Sequence, residues 1–297
     1  MRGINREGMA QMAFTHFSDL DLPAFSRELE LSFVNFYLGF SDGESFSRYP
    51  HARLIFFFRS DGTGFFDDDG GNRRSVHGGD WILIPPFVGV RHRLNASAPH
   101  LSLHFTLLAY RGFDMLAGVR HVLGGSDPAL TEEIQGEIRR NDKITLMLLF
   151  QELCWKCLRR VKDEFPAFER IPALYTHPEA VRLLRLLTDN ASPDLTMEKL
   201  ARLAGIPRNT LIKRLTAAAG MPPGHAVDRI LVSRAIRLLT EKQLSVKETA
   251  AALDFRDPYG FSRFFRRMTG SSPSQFRLRF QRAPLDAKRF ISEADRA

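Results

Sequence analysis

Two groups of side chains suited to reading a polyanion stand in the last third of the chain, at a 50-residue offset. The first is Arg208, Asn209, Ile212 and Lys213, with Arg214 beside it; the second is Arg256, Tyr259, Gly260 and Arg263, followed by Arg266 and Arg267. Arginine and asparagine make paired hydrogen bonds to the edges of guanine and adenine. Cations that do not reach a base neutralise phosphate and fix register. The expected base contacts are therefore Arg208, Asn209, Ile212, Lys213, Arg256, Tyr259, Gly260 and Arg263. Arg214, Lys247, Arg266 and Arg267 are the expected phosphate contacts. A single exposed arginine is usually a solvated charge, so the weight rests on the repetition. Charge supports it: residues 193–282 hold 17 Lys/Arg against 7 Asp/Glu, a balance of +10, more than the +8 of the whole 297-residue chain. A basic segment of this kind points to nucleic acid.

The elements that must carry these residues occur as two copies. Leu211, Lys213, Leu215, Gly220 and Pro223 correspond to Phe261, Arg263, Phe265, Gly270 and Pro273. Each copy reads as a short helix, a turn and a second, basic helix. In the first, Thr196 or Asp194 caps a helix to about Ala204, Gly205 turns the chain, and Pro207 opens the next helix. Leu211 and Leu215, four apart, face inward. Pro223 begins a longer helix through Val227, Ile230, Ala235 and Leu238-Leu239. In the second, Ser245-Val246-Lys247-Glu248 fits a capping box, and Asp257 caps a helix starting at Pro258. Phe261, Phe264 and Phe265 supply its buried face, and Pro273 starts a last helix with Gln275 and Arg277. Such a tandem places two helices in duplex grooves.

This region resembles the DNA-binding domain of the AraC/XylS family of bacterial transcription regulators. The resemblance is carried by Ala250, Phe255, Asp257, Phe261-Ser262-Arg263, Phe265, Gly270 and Ser272-Pro273, and by Ala235 with Leu238-Leu239 in the linking helix. It covers about 80 residues. It implies two helix-turn-helix units reading adjacent major-groove segments of double-stranded DNA, with RNA polymerase as a partner. Three positions depart from the family pattern. Asp254 stands for a glycine, and Asp tolerates left-handed backbone. Pro207 stands for a serine cap. Leu231 stands for an arginine, which puts one phosphate or structural contact in doubt.

Residues from about 31 to 110 read differently. Leu54-Ile55-Phe56-Phe57-Phe58, Trp81-Ile82-Leu83-Ile84 and the alternating run from His100 to Leu108 predict strands. The stretches Ser60-Asp61-Gly62-Thr63-Gly64 and Asp67-Asp68-Asp69-Gly70-Gly71-Asn72 predict turns. Many short strands at close spacing imply an antiparallel sandwich or barrel. Gly79, Pro85, Gly89 and His92 resemble part of a cupin motif, but a metal-binding cupin also needs an earlier His-x-His with Glu. His51, His77, His92, His100 and His104 are not at ligand spacing, so neither a metal nor a cofactor is expected, and no catalytic residue is assigned. The order of barrel, helices and tandem units resembles sugar-responsive AraC-type regulators. That layout implies a small-molecule effector inside the barrel, with Arg53, Trp81, Arg91, His92 and His104 as candidates. Each is alternatively a core residue, Trp81 above all.

The expected class is α+β: a cupin-like sensor over 1–115, a helical dimerisation region and linker over 116–192, an all-α tandem helix-turn-helix domain over 193–282, and a loosely held tail over 283–297. Helices are predicted over Ile144–Val161 and Pro178–Leu187, their amphipathic faces suiting a homodimer. Asp189-Asn190-Ala191-Ser192-Pro193 is the expected linker. Cys154-Trp155-Lys156-Cys157 places two sulfurs on one helix face; two small buried residues account for it better than zinc or a redox switch. No run of about 18 apolar residues predicts a membrane span. The N-terminal Met1-Arg2-Gly3-Ile4-Asn5-Arg6-Glu7 lacks the apolar run of a signal peptide. The chain thus reads as a cytoplasmic, ligand-responsive DNA-binding regulator. The alternatives are a regulator whose barrel only dimerises and a cupin enzyme with an appended DNA-binding domain.

Overall fold

The computed structural model of the protein describes residues 28–40, 43–58, 64–94, 99–110, 112–140, 142–168 and 178–281. The N-terminal stretch of residues 1–27, the expected turn at Ser60-Asp61-Gly62-Thr63 and the tail from Arg282 lie outside them. Among the described residues, ten strands form two antiparallel sheets: β1 (Leu29–Phe40), β2 (Gly43–Arg48), β3 (Ala52–Phe57), β4 (Gly64–Asp68), β5 (Arg73–Val76), β6 (Asp80–Ile84), β7 (Gly89–Leu94), β8 (Pro99–Ala109), β9 (Phe113–Asp114) and β10 (Leu123–Ser126). One sheet runs β1-β8-β3-β6-β10 with β9 on β8, and the other runs β2-β7-β4-β5. The first sheet takes β10 from beyond residue 115, so the sheet domain extends past the boundary expected there.

The apolar strands are buried on both faces, and the period of two decides what each face meets. Leu54 and Phe56 of β3, Trp81 and Leu83 of β6, and Leu101, Leu103 and Phe105 of β8 share a core with two covering helices, α1 (Pro128–Arg140) and α2 (Lys143–Val161). The alternate residues Ile55, Phe57, Ile82 and Ile84 meet Phe66, Val76, Val90 and Leu94 of the second sheet. Asp142 caps α2 by accepting from Ile144 N–H. The inner face of α2 carries Leu149, Phe150, Leu153, Cys154 and Cys157. Both cysteines are free and buried, and burial pushes the Cys157 thiol up to about 12, so it stays protonated and unreactive.

The C-terminal part holds α3 (Pro178–Asp189), α4 (Met197–Ala204), α5 (Arg208–Ala219), α6 (Pro223–Thr240), α7 (Val246–Ala252), α8 (Pro258–Thr269) and α9 (Pro273–Gln281). The Asp189–Pro193 stretch is a short connection inside this helical unit, not a linker between domains. Arg182 of α3 donates to the Ala204 carbonyl, and Arg234 of α6 donates to the carbonyls of Thr188 and Ala191. Its polar composition reflects helix ends whose carbonyls need donors.

A candidate DNA interface and the cavity behind it

The first helix-turn-helix unit is α4 and α5. Thr196 caps α4 by accepting from Lys199 N–H, and Gly205 ends it in the left-handed region at φ 70°. Pro207 sits one place earlier than expected: it is the residue before α5, which begins at Arg208. Leu211 and Leu215 are fully buried, which turns Arg208, Asn209, Lys213 and Arg214 outward, with Ile212 half-buried. Arg208 pairs with Glu198 at 2.5 Å and Arg214 with Glu179 at 3.6 Å, so exposed carboxylates hold these cations in the free protein.

The second unit is α7 and α8. Ser245 and Glu248 form the reciprocal capping box, and Asp257 caps α8 by accepting from Gly260 N–H at 2.7 Å. Asp254 takes φ 58° at the turn, a left-handed geometry that a glycine would take without strain. Phe261 and Phe265 are fully buried while Phe264 is half-buried. The opposite face presents Arg256, Tyr259, Arg263, Arg266 and Arg267 to solvent, with Gly260 half-buried among them. Tyr259 is 70% exposed, and the Arg263 guanidinium lies 4.8 Å above its ring. A large aromatic left that open beside an arginine costs apolar hydration that a partner surface would recover. Lys247 is exposed on α7, and Arg267 pairs with Asp228 at 3.1 Å. Leu231, at the family's arginine position, is 2% exposed inside the core, so the linking helix makes no phosphate contact there.

The facing surfaces of the two sheets carry a second group of polar side chains. The register of β3 with β8 sets Arg53 opposite His104, Ile55 opposite Ser102 and Phe57 opposite His100, and this face looks toward the second sheet. Arg53 donates to Ser47 Oγ at 2.8 Å and stacks 4.7 Å over Tyr49. The rings of His51 and His104 share a hydrogen bond of 2.9 Å. His92 stacks on Phe66 at 5.2 Å; burial first, then Arg53 and His100, push its pKa down to about 4. Arg53, His92 and His104 lie on inward faces of the two sheets, with Arg53 directly opposite His104. Trp81 and Arg91 do not join them. Trp81 has the wrong strand parity and packs toward α1 and α2, and Arg91 lies on the outer face of β7 beside Glu44 at 3.4 Å. His51 and Ser47 belong to the cluster and were missed, because they reach it from the chain entering β3 and from a strand of the other sheet, where no spacing rule applies. Among the described residues, no three His, Cys, Asp or Glu side chains stand together in a metal-holding arrangement. No helix of the described residues is long and apolar enough to cross a membrane.

The long strands β1 and β8 outrun the second sheet, and α6 of the C-terminal domain covers their free end. Arg229 of α6 stands 3.9 Å from Asp114 of β9 and 4.6 Å over the Phe87 ring, and Arg237 stands 3.6 Å from Glu30 of β1. A cleft of ≈ 360 Å³ remains between Glu30, Ser32 and Thr106 on the strands and Ser233, Arg234 and Arg237 on the helix.

Residues 200–279 match the family described as a helix-turn-helix domain. Over 85 residues the chain is 31% identical to the MmsAB operon regulatory protein of Pseudomonas aeruginosa, covering 29% of this chain and 28% of that protein. Over 100 residues it is 23% identical to histidine kinase P4 of Formosa agariphila, covering 33% of this chain and 7% of that one. The alignments thus span under a third of either curated relative. The fold is similar to that of ToxT from Vibrio cholerae, solved with an unsaturated fatty acid bound: the TM-score is 0.52 at 12% identity, over 88% of this chain and 99% of that one.

Proposed function

We propose, for a chain whose residues 200–279 form an AraC-type helix-turn-helix domain, that it is a sequence-specific DNA-binding transcription regulator. The observation that carries this is the pairing of two separately capped helix-turn-helix units, each with a buried apolar edge and an exposed cationic one. Helices α5 and α8 enter adjacent major-groove segments. Arg208, Asn209, Ile212 and Lys213 contact bases from α5, and Arg256, Tyr259, Gly260 and Arg263 do so from α8. Arg214, Lys247, Arg266 and Arg267 contact phosphates. RNA polymerase is the partner through which binding changes transcription, and the protein works in the cytoplasm without catalytic chemistry of its own.

A small-molecule effector binds between the sheets at Arg53, His92 and His104, joined by His51 and Ser47. A guanidinium beside imidazoles suits a ligand with hydroxyls or a carboxylate, sugars among them. The fatty acid held by ToxT is a carboxylate in a protein of similar fold. The protein acts as a homodimer through α2. Its outer face exposes Ile144, Met147 and Leu148 together, with Trp155 two turns on beyond the polar Gln151 and Glu152.

The test is a gel-shift titration of the whole chain on genomic fragments between 50 and 200 mM salt. Four phosphate contacts predict a slope of about −3 to −4 in log affinity against log salt. Binding that does not weaken with salt overturns the phosphate assignment, and the absence of binding overturns the function.

A further inference from the structure

The core of the second helix-turn-helix unit is not closed by its own residues. Phe276 of α9 is 1% exposed, and part of what covers it belongs to the sensor domain: the His51 ring meets it edge-on, centroids 6.1 Å apart at 76°. Tyr49, Phe87 and Val34 of the sensor pack against the same cluster. On its other side Phe276 meets Phe265 of α8 at 5.3 Å, and Phe265 meets Phe261 at 5.7 Å. Phe261 and Phe265 are the residues on which α8 rests, directly beneath its exposed arginines.

His51 is itself held from within the sensor. It stacks on Tyr49 at 5.2 Å and shares a hydrogen bond with His104, whose side chain lies on the face between the sheets. Burial first, and Arg53 second, push its pKa down to about 3, so the ring is neutral at ordinary pH. The hydrogen bond between the two imidazoles holds the His51 ring in place whichever ring donates. Buried rings pass displacement on because a close-packed interior has no slack to absorb it.

We propose that His51 is a positioning residue for α8: the sensor domain sets the pose of the second DNA-reading helix through the edge contact between His51 and Phe276. The inference rests on α8 contacting DNA, as put forward above. It implies that whatever moves His104 between the sheets is felt at α8, while α5 is reached by another route.

The test uses the full chain and a duplex selected from a random pool by the wild type. The segments under α5 and α8 are assigned with Arg208→Ala and Arg263→Ala, and each is then scrambled in turn. His51→Ala should lower affinity for the selected duplex roughly tenfold, the scale of one lost base contact. It should also cut the penalty for scrambling the α8 segment by a similar factor while keeping the penalty at the α5 segment. His51→Phe, which keeps a ring against Phe276, should stay within about twofold of wild type on this scale. Wild-type discrimination at the α8 segment in His51→Ala overturns the proposal, and so does an equal loss at both segments, which marks general damage. Failure of His51→Phe to rescue overturns the ring contact as the transmitting element. If the wild type itself shows no α8-segment penalty, α8 does not read DNA, and the coupling falls with that assignment.

Discussion

Asp114 is where burial and charge oppose each other most directly, and it sits where the two domains meet. Its carboxylate accepts from Leu116 N–H at 2.9 Å and faces the Arg229 guanidinium at 3.9 Å, too far for a hydrogen bond. Burial raises its pKa from 3.8 to about 6, and Arg229 recovers only part of that penalty. Between those two values the folded protein binds the proton more tightly than the unfolded chain does. Stability therefore falls as pH rises through the window, and the cost of the buried carboxylate is fully present above pH 6 or so. A shift of about 2 units corresponds to roughly 3 kcal/mol. Asn at this position keeps the shape and cannot titrate. In urea unfolding of wild type and Asp114→Asn at a series of pH values, the variant should gain between about 2 and about 3 kcal/mol relative to wild type from about pH 4 to about pH 7. The offset at the acid end, set by what Arg229 loses, does not enter that difference. Two parallel stability curves would refute the burial of a strained ion pair at this interface.

Arg263→Ala should weaken binding to a preferred duplex by roughly 1–3 kcal/mol and relax the choice of base at one position. Selection from a random pool reads both effects, and an unchanged preferred sequence would remove Arg263 from the contacting set. Leu148→Glu puts a charge among the exposed apolar residues of α2, where the free monomer should tolerate it and a dimer should not. Sedimentation at micromolar concentration should shift from dimer to monomer with thermal unfolding little changed, and a wild type already monomeric there would rule out α2 as the dimer contact.

The helices of the two helix-turn-helix units were legible because each signal in them is local. Thr196, Ser245 with Glu248, and Asp257 each satisfy a helix end within three residues along the chain. Leu211 with Leu215 and Phe261 with Phe265, at spacing four, set which face is buried and therefore which cations are out. The misread Asp189–Pro193 stretch shows the limit. A polar, proline-containing run has the same composition whether it tethers two domains or turns a corner inside one, and only Arg234 donating across 46 residues distinguishes them.

The residues between the two sheets mark the same boundary more sharply. Sequence alone determined that strands would carry Trp81 and His104, since apolar runs and turns are written in consecutive residues. It could not say that Trp81 turns to the helices while Arg53 and His104 share the opposite face, because that depends on which strands become neighbours and in what register. Only the tertiary structure set His51 against Phe276 and Arg229 against Asp114, pairs separated by more than 100 residues. Contacts within a helix turn follow from covalent geometry. Contacts between distant segments exist only after the whole chain has closed on itself.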